Sequence, residues 1–216
     1  MWVFDEYAQA YDLWYEKPFG MSAYRLELEC LRKLYQQSET SLEIGVGSGR
    51  FAFALGVRYG VDTSKELLKM ALKRGVRGVL GRAEDLPFKE SIFDEVIIVV
   101  SLCFFEDPLT SLKEANRVLK AEGSLLLGLV LSESPWADFY KDKAKKGHPI
   151  YKNAKFYSYY QLASMLKETG FSIDKVYTTL LEEPQDEKPL KTKEIRKGFW
   201  QEGGFFCIRA CLLYTS

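Results

Sequence analysis

Short apolar runs alternate with longer mixed segments through the middle of this chain. The stretch around Val96-Ile97-Ile98-Val99 has no polar interruption, which is typical of a strand buried on both faces of a parallel sheet. Pro108 marks the start of a helix. The pattern predicts strands at residues 41–46, 57–61, 76–81, 93–101 and 124–131, and helices at 49–55, 65–74 and 108–119. Such alternation indicates parallel βαβ units with helices on both faces of the sheet.

Both ends of the chain depart from this alternation. Residues 4–15 and 22–35 are predicted to be helices, separated by Lys17-Pro18-Phe19-Gly20. Residues 132–160 are dense in aromatic rings, and a helix follows with Ser158 as N-cap and Gly170 as its stop. The runs at 171–181 and 204–213 predict two closing strands, joined by a charged connection.

The most informative segment is a glycine-rich turn after the first predicted strand. It reads Glu43-x-Gly45-x-Gly47-x-Gly49, and Asp62 ends the next strand. Glycines without Cβ atoms permit positive φ and close approach of a ligand to the backbone. An acidic residue at the carboxyl end of the neighbouring strand can accept both hydroxyls of a ribose. The pattern therefore predicts a nucleoside site.

The spacing of the glycines separates two classes of cofactor. A dinucleotide fingerprint requires G-x-G-x-x-G, whereas here Arg50 stands at the last position and the third glycine comes one residue early. Glu43 would also oppose a pyrophosphate but would suit an ammonium group. A cationic ligand with an amino-acid tail and a ribose fits better than NAD, and S-adenosylmethionine is such a ligand.

Further motifs follow in a characteristic order. With the glycine turn and a possible entry helix, they make the chain resemble the class I S-adenosylmethionine-dependent methyltransferases, in the ubiquinone/menaquinone branch. The motifs are Phe4-Asp5-x-Tyr7-Ala8-x-x-Tyr11-Asp12, Gly60-Val61-Asp62-Thr63-Ser64, Ala83-Glu84-Asp85-Leu86-Pro87-Phe88, Phe93-Asp94-Glu95-Val96, Leu112-x-Glu114-x-x-Arg117-Val118-Leu119-Lys120 and Gly123-Ser124-Leu125.

The resemblance implies a Rossmann-like α/β fold with seven strands, mostly parallel, and a terminal antiparallel hairpin. It also implies a methyltransferase that uses S-adenosylmethionine and acts on nitrogen, oxygen or carbon of a small molecule. The residues expected to bind the cofactor are Tyr11, Glu43, Gly45, Gly47, Gly49, Asp62, Thr63, Ala83, Glu84 and Ser101.

The chain departs from the family at the adenine end of the expected site. Family members commonly carry an acid directly before the alanine, where it accepts from the adenine amino group, whereas this chain has Arg82. We expect Glu84 or backbone carbonyls to take this role, or the adenine contact to be weaker. The turn before the fifth strand, Lys120-Ala121-Glu122-Gly123, also lacks the usual proline and one glycine.

The acceptor site is expected under the aromatic segment that follows the fifth strand. Ligand pockets are mostly apolar with few polar groups, and these rings lie where they would cover the ligand edge of the sheet. The predicted substrate residues are Trp136, Phe139, Tyr140 and Tyr151. His148 is a candidate general base because of its usual pKa, with a solvated turn as the alternative. Methyl transfer from a sulfonium needs no covalent intermediate, so no other catalytic residue is assigned.

Composition narrows the functional classes. Lys and Arg together number 30, as do Asp and Glu, so the net charge of zero argues against a protein that binds mainly nucleic acid. The four cysteines form no C-x-x-C pair and there is one histidine, so no metal site is expected. No signal peptide or membrane-spanning run is evident, and reduced cysteines indicate a cytoplasmic protein.

The expected organisation is one methyltransferase domain over residues 1–216. It divides into a helical lid at 1–40, a cofactor-binding core at 41–131, an aromatic cap at 132–160, and a helix with closing strands at 161–216. Three other functions remain open on the sequence: a non-catalytic protein that binds S-adenosylmethionine or S-adenosylhomocysteine, an NAD-dependent oxidoreductase, and an RNA methyltransferase. The acceptor and the oligomeric state do not follow from the sequence.

Overall fold

The computed structural model describes residues 3–213 and contains one mixed sheet flanked by helices. The strands are β1 (Ser41–Ile44), β2 (Tyr59–Asp62), β3 (Arg77–Leu80), β4 (Phe93–Val99), β5 (Leu119–Leu129), β6 (Phe171–Thr179), β7 (Arg196–Lys197) and β8 (Phe205–Leu212). The helices are α1 (Val3–Glu6), α2 (Ala8–Trp14), α3 (Pro18–Arg32), α4 (Arg50–Leu55), α5 (Lys65–Lys73), α6 (Pro108–Val118), α7 (Pro135–Lys145) and α8 (Tyr159–Glu168). Short 3-10 turns cover Leu102–Phe104 and Tyr151–Asn153.

The strands are ordered β3-β2-β1-β4-β5-β8-β6-β7. The first five are parallel, and β8 runs antiparallel between β5 and β6. This order confirms the mostly parallel sheet with an antiparallel finish. The strand order reverses between β1 and β4, and open α/β sheets bind ligands at the carboxyl ends of the strands beside such a reversal.

The sheet has eight strands, whereas seven were predicted. The additional strand is β7, two residues that pair with Tyr177 and Thr178 of β6. It lies within the charged connection at 182–203, where no apolar alternation marks a strand. Two residues are too few for a period of two to be recognised in the sequence.

The central strands β1, β4 and β5 are buried on both faces, as expected for parallel strands, whereas the edge strand β3 is largely exposed. Alternate residues of β4 point to opposite sides: Ile97 and Val99 pack with α3 and α4, whereas Val96 and Ile98 pack with α6 and α8. The continuous apolar run that predicted β4 therefore serves two separate hydrophobic clusters. A polar residue on either face of this strand would be buried in one of them.

The helices differ from the prediction in three places. The helix predicted over residues 4–15 is divided at Tyr7 into α1 and α2. The helix α3 begins at Pro18 instead of residue 22, because proline at the first helical position lacks only an N–H that would have no partner there. The aromatic segment contains α7, whose N-cap Ser134 accepts from the backbone N–H of Trp136. The predicted cap of α8 is confirmed: Ser158 and Gln161 form a reciprocal capping box. No helix between residues 3 and 213 is long and apolar enough to cross a membrane.

The short helices α1 and α2 are held against the carboxyl edge of the sheet by two aspartates. Asp5 accepts a hydrogen bond from Ser64 Oγ at 2.7 Å, at the start of α5. Asp12 accepts from Arg50 Nε and from Arg74 Nη2, both at 2.8 Å. These contacts fix the N-terminal helices to α4 and α5. Helix α4 begins directly after the glycine turn, and the last turn of α5 packs against Gly49.

We expect the Asp12 network to make stability depend on acid pH. Burial raises the pKa of Asp12, but hydrogen bonds from Arg50, Ser48 and Arg74 outweigh it and hold the pKa at about 2. Because this lies below the unfolded value of 3.8, the stabilisation is present above pH 4 and is lost as the pH falls towards 2. By linkage it amounts to about 2 kcal/mol. Urea unfolding between pH 7 and pH 3 should therefore show a smaller loss of stability in Asp12→Asn than in the wild type.

The control is Asp138→Asn, since Asp138 forms an exposed pair with Lys141 and should change stability by less than about 0.5 kcal/mol. Parallel pH profiles for the wild type and Asp12→Asn would show that the network does not contribute in this way.

Candidate active site

The glycine turn between β1 and α4 is formed by three glycines with positive φ. Gly45, Gly47 and Gly49 have φ of 73°, 53° and 81°. A Cβ on Gly45 would lie 2.5 Å from Cβ of Ser101, whereas one on Gly47 would meet only the ring of Tyr11, at 3.8 Å. Gly45 is therefore required for packing against the end of β4, and Gly47 leaves its Cβ position open to a ligand.

Asp62 at the end of β2 ties this turn to the next helix. Its Oδ2 accepts from the backbone N–H of Gly47 and its Oδ1 from that of Ser64, both at 2.8 Å. Burial raises the pKa of Asp62, and these backbone hydrogen bonds oppose the shift. A carboxylate has about four acceptor positions, so roughly two remain for hydroxyls of a ligand.

The turn and Asp62 border a first cavity of about 300 Å³ at the carboxyl edge of the sheet. It extends between β1, β2 and β4 and is covered by Phe4 and Tyr11 of the N-terminal helices. Eight of the ten residues predicted to bind the cofactor line it. They are Tyr11, Gly45, Gly47, Asp62, Thr63, Ala83, Glu84 and Ser101.

Glu43 and Gly49, the other two, do not line the first cavity. Glu43 is 2% exposed, and burial raises its pKa well above the usual range despite a hydrogen bond from the backbone of Ala52. A Cβ on Gly49 would lie 3.0 Å from Cα of Ala71 in α5. Both residues therefore pack beneath the turn, and their direct contact with the cofactor stays a prediction.

An ion-pair cluster lies at the end of the first cavity that Ala83 and Glu84 line. Glu84 Oε1 accepts from the backbone N–H groups of Glu106 and Asp107, at 3.0 and 3.3 Å. Arg82 Nη2 lies 2.7 Å from Glu106, and its Nε lies 3.5 Å from Glu84. Arg82 stands where family members commonly carry an acid. It pairs with Glu84 and Glu106 and so fixes the loop after β4.

Two residues at the end of β4 complete the wall. Ser101 Oγ donates to the carbonyl of Ile44 at 2.9 Å, which joins the ends of β4 and β1. Val100 has φ of 47°, a conformation that β-branched residues rarely adopt. Such strained backbone concentrates at functional sites. Val100 lies where the first cavity meets a second one.

The second cavity has a volume of about 370 Å³ and shares Tyr11, Val100 and Phe104 with the first. Its walls come from α2, α3, α7 and the segment after α7. Aromatic residues supply much of the lining: Tyr7, Tyr11, Trp14, Tyr15, Phe104, Tyr140, Tyr151, Phe156 and Tyr157. A cavity of this size and composition suits a small organic ligand.

Of the four predicted substrate residues, the structure brings only Tyr140 and Tyr151 to the second cavity. Trp136 is fully buried, its ring stacks on Phe19 at 5.7 Å, and its Nε1 donates to the carbonyl of Glu182. Phe139 packs edge-on against Trp136 and does not line the cavity. The prediction was wrong for Trp136 because helix α7, which was not recognised in the sequence, turns this ring into the core. Phe139 is half-buried with Lys143 Nζ 4.9 Å from its ring centre, and its contact with a substrate stays a prediction.

His148 lies in the wall of the second cavity, 4.4 Å from Tyr151 between ring centres. Burial lowers the pKa of His148, and nearby Lys143 lowers it further against the opposing charge of Asp186. Its buried Nδ1 has no hydrogen-bond partner among residues 3–213. The imidazole is therefore neutral near pH 7, the state in which it can accept a proton.

Comparison with known proteins decides the family. A model of the methyltransferase domain matches residues 42–127. An uncharacterized protein of Methanocaldococcus jannaschii is 39% identical over 208 residues, which are 96% of this chain and 98% of that protein. A crystal structure from Thermotoga maritima, described as an S-adenosylmethionine-dependent methyltransferase and possible histamine N-methyltransferase, is 35% identical, covers 97% of each chain and has a TM-score of 0.87.

The chain belongs to the S-adenosylmethionine-dependent methyltransferases. Its cofactor is therefore S-adenosylmethionine, as the glycine spacing predicted. The resemblance to the menaquinone branch is confirmed at lower identity: the demethylmenaquinone methyltransferase of Thermotoga maritima is 31% identical over 136 residues, 59% of each protein. The geometry fits this cofactor, since Gly47 leaves open space and Asp62 has free acceptor positions beside it.

Two contributors to the site were missed in the sequence. Asp5 and Asp12 lie within the N-terminal motif that carried the resemblance, but their bonds to Ser64, Arg50 and Arg74 join segments far apart in the chain. The N-terminal motif indicated that this segment belongs to the site. The sequence did not show that Asp5 and Asp12 would contact α4 and α5, because that depends on the fold.

We expect Asp62→Ala to lower the affinity of this methyltransferase for S-adenosylmethionine at least tenfold. Each hydrogen bond from a ribose hydroxyl to a charged acceptor contributes about 1.5–3 kcal/mol, and the variant also frees the N–H of Gly47. Calorimetric titration measures the change, with circular dichroism to establish that the variant is folded. Asp85→Ala is the control, because Asp85 is exposed and does not line the first cavity. Unchanged affinity in a folded Asp62→Ala protein would move the ribose site elsewhere.

Proposed function

We propose that this methyltransferase acts on a small organic acceptor held in the second cavity. The observation that carries the proposal is the junction at Tyr11, Val100 and Phe104, where the second cavity opens beside the first. A molecule among the rings would lie next to the cofactor. S-adenosylmethionine supplies an electrophilic methyl group on a sulfonium, so the protein mainly has to orient the acceptor and exclude water.

The N-terminal helices act in this proposal as a lid and the segment after β5 as a cap. Tyr11 faces both cavities, and its hydroxyl lies 3.1 Å from that of Tyr15. Tyr140 and Tyr151 close the far side, with ring centres 4.6 Å apart. In this proposal these rings surround the bound acceptor. The descriptions of two similar proteins support the proposal of a small acceptor. One names histamine and the other demethylmenaquinone, and both are small molecules.

An RNA methyltransferase is less well supported. The net charge is zero, whereas RNA-binding proteins attract phosphates through excess lysine and arginine. A non-catalytic protein that binds S-adenosylmethionine is the second candidate, and an assay for methyl transfer distinguishes it from an enzyme.

The test is a screen for transfer of a labelled methyl group from S-adenosylmethionine to amines, phenols, quinols and carboxylic acids. Once an acceptor is found, Tyr140→Ala and Tyr151→Ala should each raise its KM at least about tenfold and leave the Kd for the cofactor within a few-fold, because both rings line the second cavity only. Tyr160→Ala, at an exposed position, is the control. Transfer to no acceptor class by a protein that binds the cofactor would favour the non-catalytic candidate.

His148→Ala tests whether a general base takes part. If the neutral imidazole removes a proton from the acceptor, kcat should fall by about a hundredfold or more, the usual scale for loss of a general base. The rate of the wild type should also decrease when the pH drops below the pKa of His148, a pKa that burial has lowered. A loss below about threefold would reduce His148 to a residue of the cavity wall. Lys152→Ala, an exposed substitution nearby, controls for disturbance of the loop.

A further inference from the structure

One carboxyl group of the second cavity has no role in the site described so far. Glu27 lies in α3, is 8% exposed and lines this cavity. Among residues 3–213, no group donates a hydrogen bond to it and no cation pairs with it. Burial alone raises the pKa of Glu27 to about 8. An acid buried without a partner destabilises a protein, so it needs an explanation.

The other buried acids of residues 3–213 each have at least one structural partner. Glu43 accepts from the backbone of Ala52 through one oxygen, and its Oε2 has no partner among these residues. Glu95 accepts from the backbone N–H of Gln36 at 3.1 Å, and Asp62 holds two backbone N–H groups. Within the second cavity, Asp186 is paired with Lys143. Glu27 differs from all of these because its carboxyl group faces a space large enough for a ligand.

The surroundings of Glu27 favour a cation over an anion. Burial raises the pKa values of Tyr15, Tyr140 and Tyr151, and the charge of Glu27 adds a smaller contribution to each, so these phenols lie within its electrostatic reach. Aromatic faces and a carboxylate together attract an ammonium group, whereas a phosphate or carboxylate would be repelled. The cavity's other lysines do not offset this preference: Lys17 and Lys155 are exposed.

We propose that Glu27 binds an amino group of the acceptor, so that the substrate is an organic amine with an apolar body packed among the tyrosines. This inference rests on the proposed function, because it places the acceptor in the second cavity. It assigns Glu27 as the residue that selects the class of substrate, and the rings as the residues that select its size.

Binding of an ammonium group has a consequence that a structural role for Glu27 would not produce. In the free protein at pH 7 the carboxyl group is mostly protonated, and a cation beside it stabilises the carboxylate, so binding should release about one proton. Several other titratable groups of the cavity keep their state at this pH. Burial raises the pKa values of Tyr11, Tyr15, Tyr140, Tyr151 and Cys103, and it lowers that of His148. Asp186 and Lys143 neutralise each other.

The experiment titrates the full chain, saturated with S-adenosylhomocysteine, with primary amines from butylamine to 2-(1-naphthyl)ethylamine, each beside its hydroxyl analogue. At least one amine should bind ten times more tightly than its alcohol, and calorimetry in buffers of different ionisation enthalpy should count about one proton released. Glu27→Gln should abolish both effects, weakening the amine at least tenfold while alcohol and S-adenosylhomocysteine change less than twofold. Glu29→Gln, on the exposed side of the same helix, should leave all of them unchanged.

The outcomes separate this inference from the proposed function. If alcohols or acids bind and accept methyl groups while no amine of the series is preferred, Glu27 is not an amine site and the proposed function stands. If no compound binds and none is methylated, both fail. If Glu27→Gln does not fold, the wild-type proton count decides: tight amine binding without proton release would overturn the assignment.

Discussion

The double hydrogen bond made by Asp62 is the constraint on which the rest of the site depends. Its two oxygens hold the N–H groups of Gly47 and Ser64, and thereby fix the turn after β1 to the start of α5. With the turn in this position, Gly45 lies against Ser101, whose hydroxyl bonds back to β1. The ends of three strands are thus locked together before any ligand binds, and a carboxylate that already orders the backbone remains available to a ribose.

A second hydrogen-bond network explains why the family motifs include residues that do not line the first cavity. Glu114 accepts from the backbone N–H of Leu86, while Arg117 pairs with Glu114 and donates to the carbonyls of Leu86 and Phe88. These bonds fasten the loop that follows Ala83 to helix α6. The two motifs lie about thirty residues apart in the sequence, yet they form one structural unit. These bonds keep the wall of the first cavity in place. Leu86, Glu114 and Arg117 therefore report the fold of the site, although none of the three lines the first cavity.

The sequence predicted the site residues whose geometry depends on neighbours along the chain. It did not predict those that come together only when distant segments pack. The turn at Gly45 and Gly47, and Asp62 at a strand end, were predicted because spacing along the chain sets their geometry. Trp136 was misassigned because its ring could be placed only after α7 was known to turn it towards Phe19. Glu27 gave no signal, since a glutamate between Leu26 and Leu28 in a helix resembles any solvent-facing position. Only the packing of α3 against the cap shows that it is buried.

This contrast also bears on how the two cavities differ. The first is built largely from backbone and from residues of consecutive βα units, so most changes there would disturb the fold of the core. The second is formed by side chains of α2, α3, α7 and the loops beside them, which are far apart in the chain. Glu27 and Tyr151 lie outside the strands, so exchanging either one changes the lining of the cavity and replaces no residue of the sheet. Under the proposed function, the cofactor and the acceptor are recognised by separate sets of residues, and the two cavities share Tyr11, Val100 and Phe104. Such a fold can keep its cofactor while its acceptor changes.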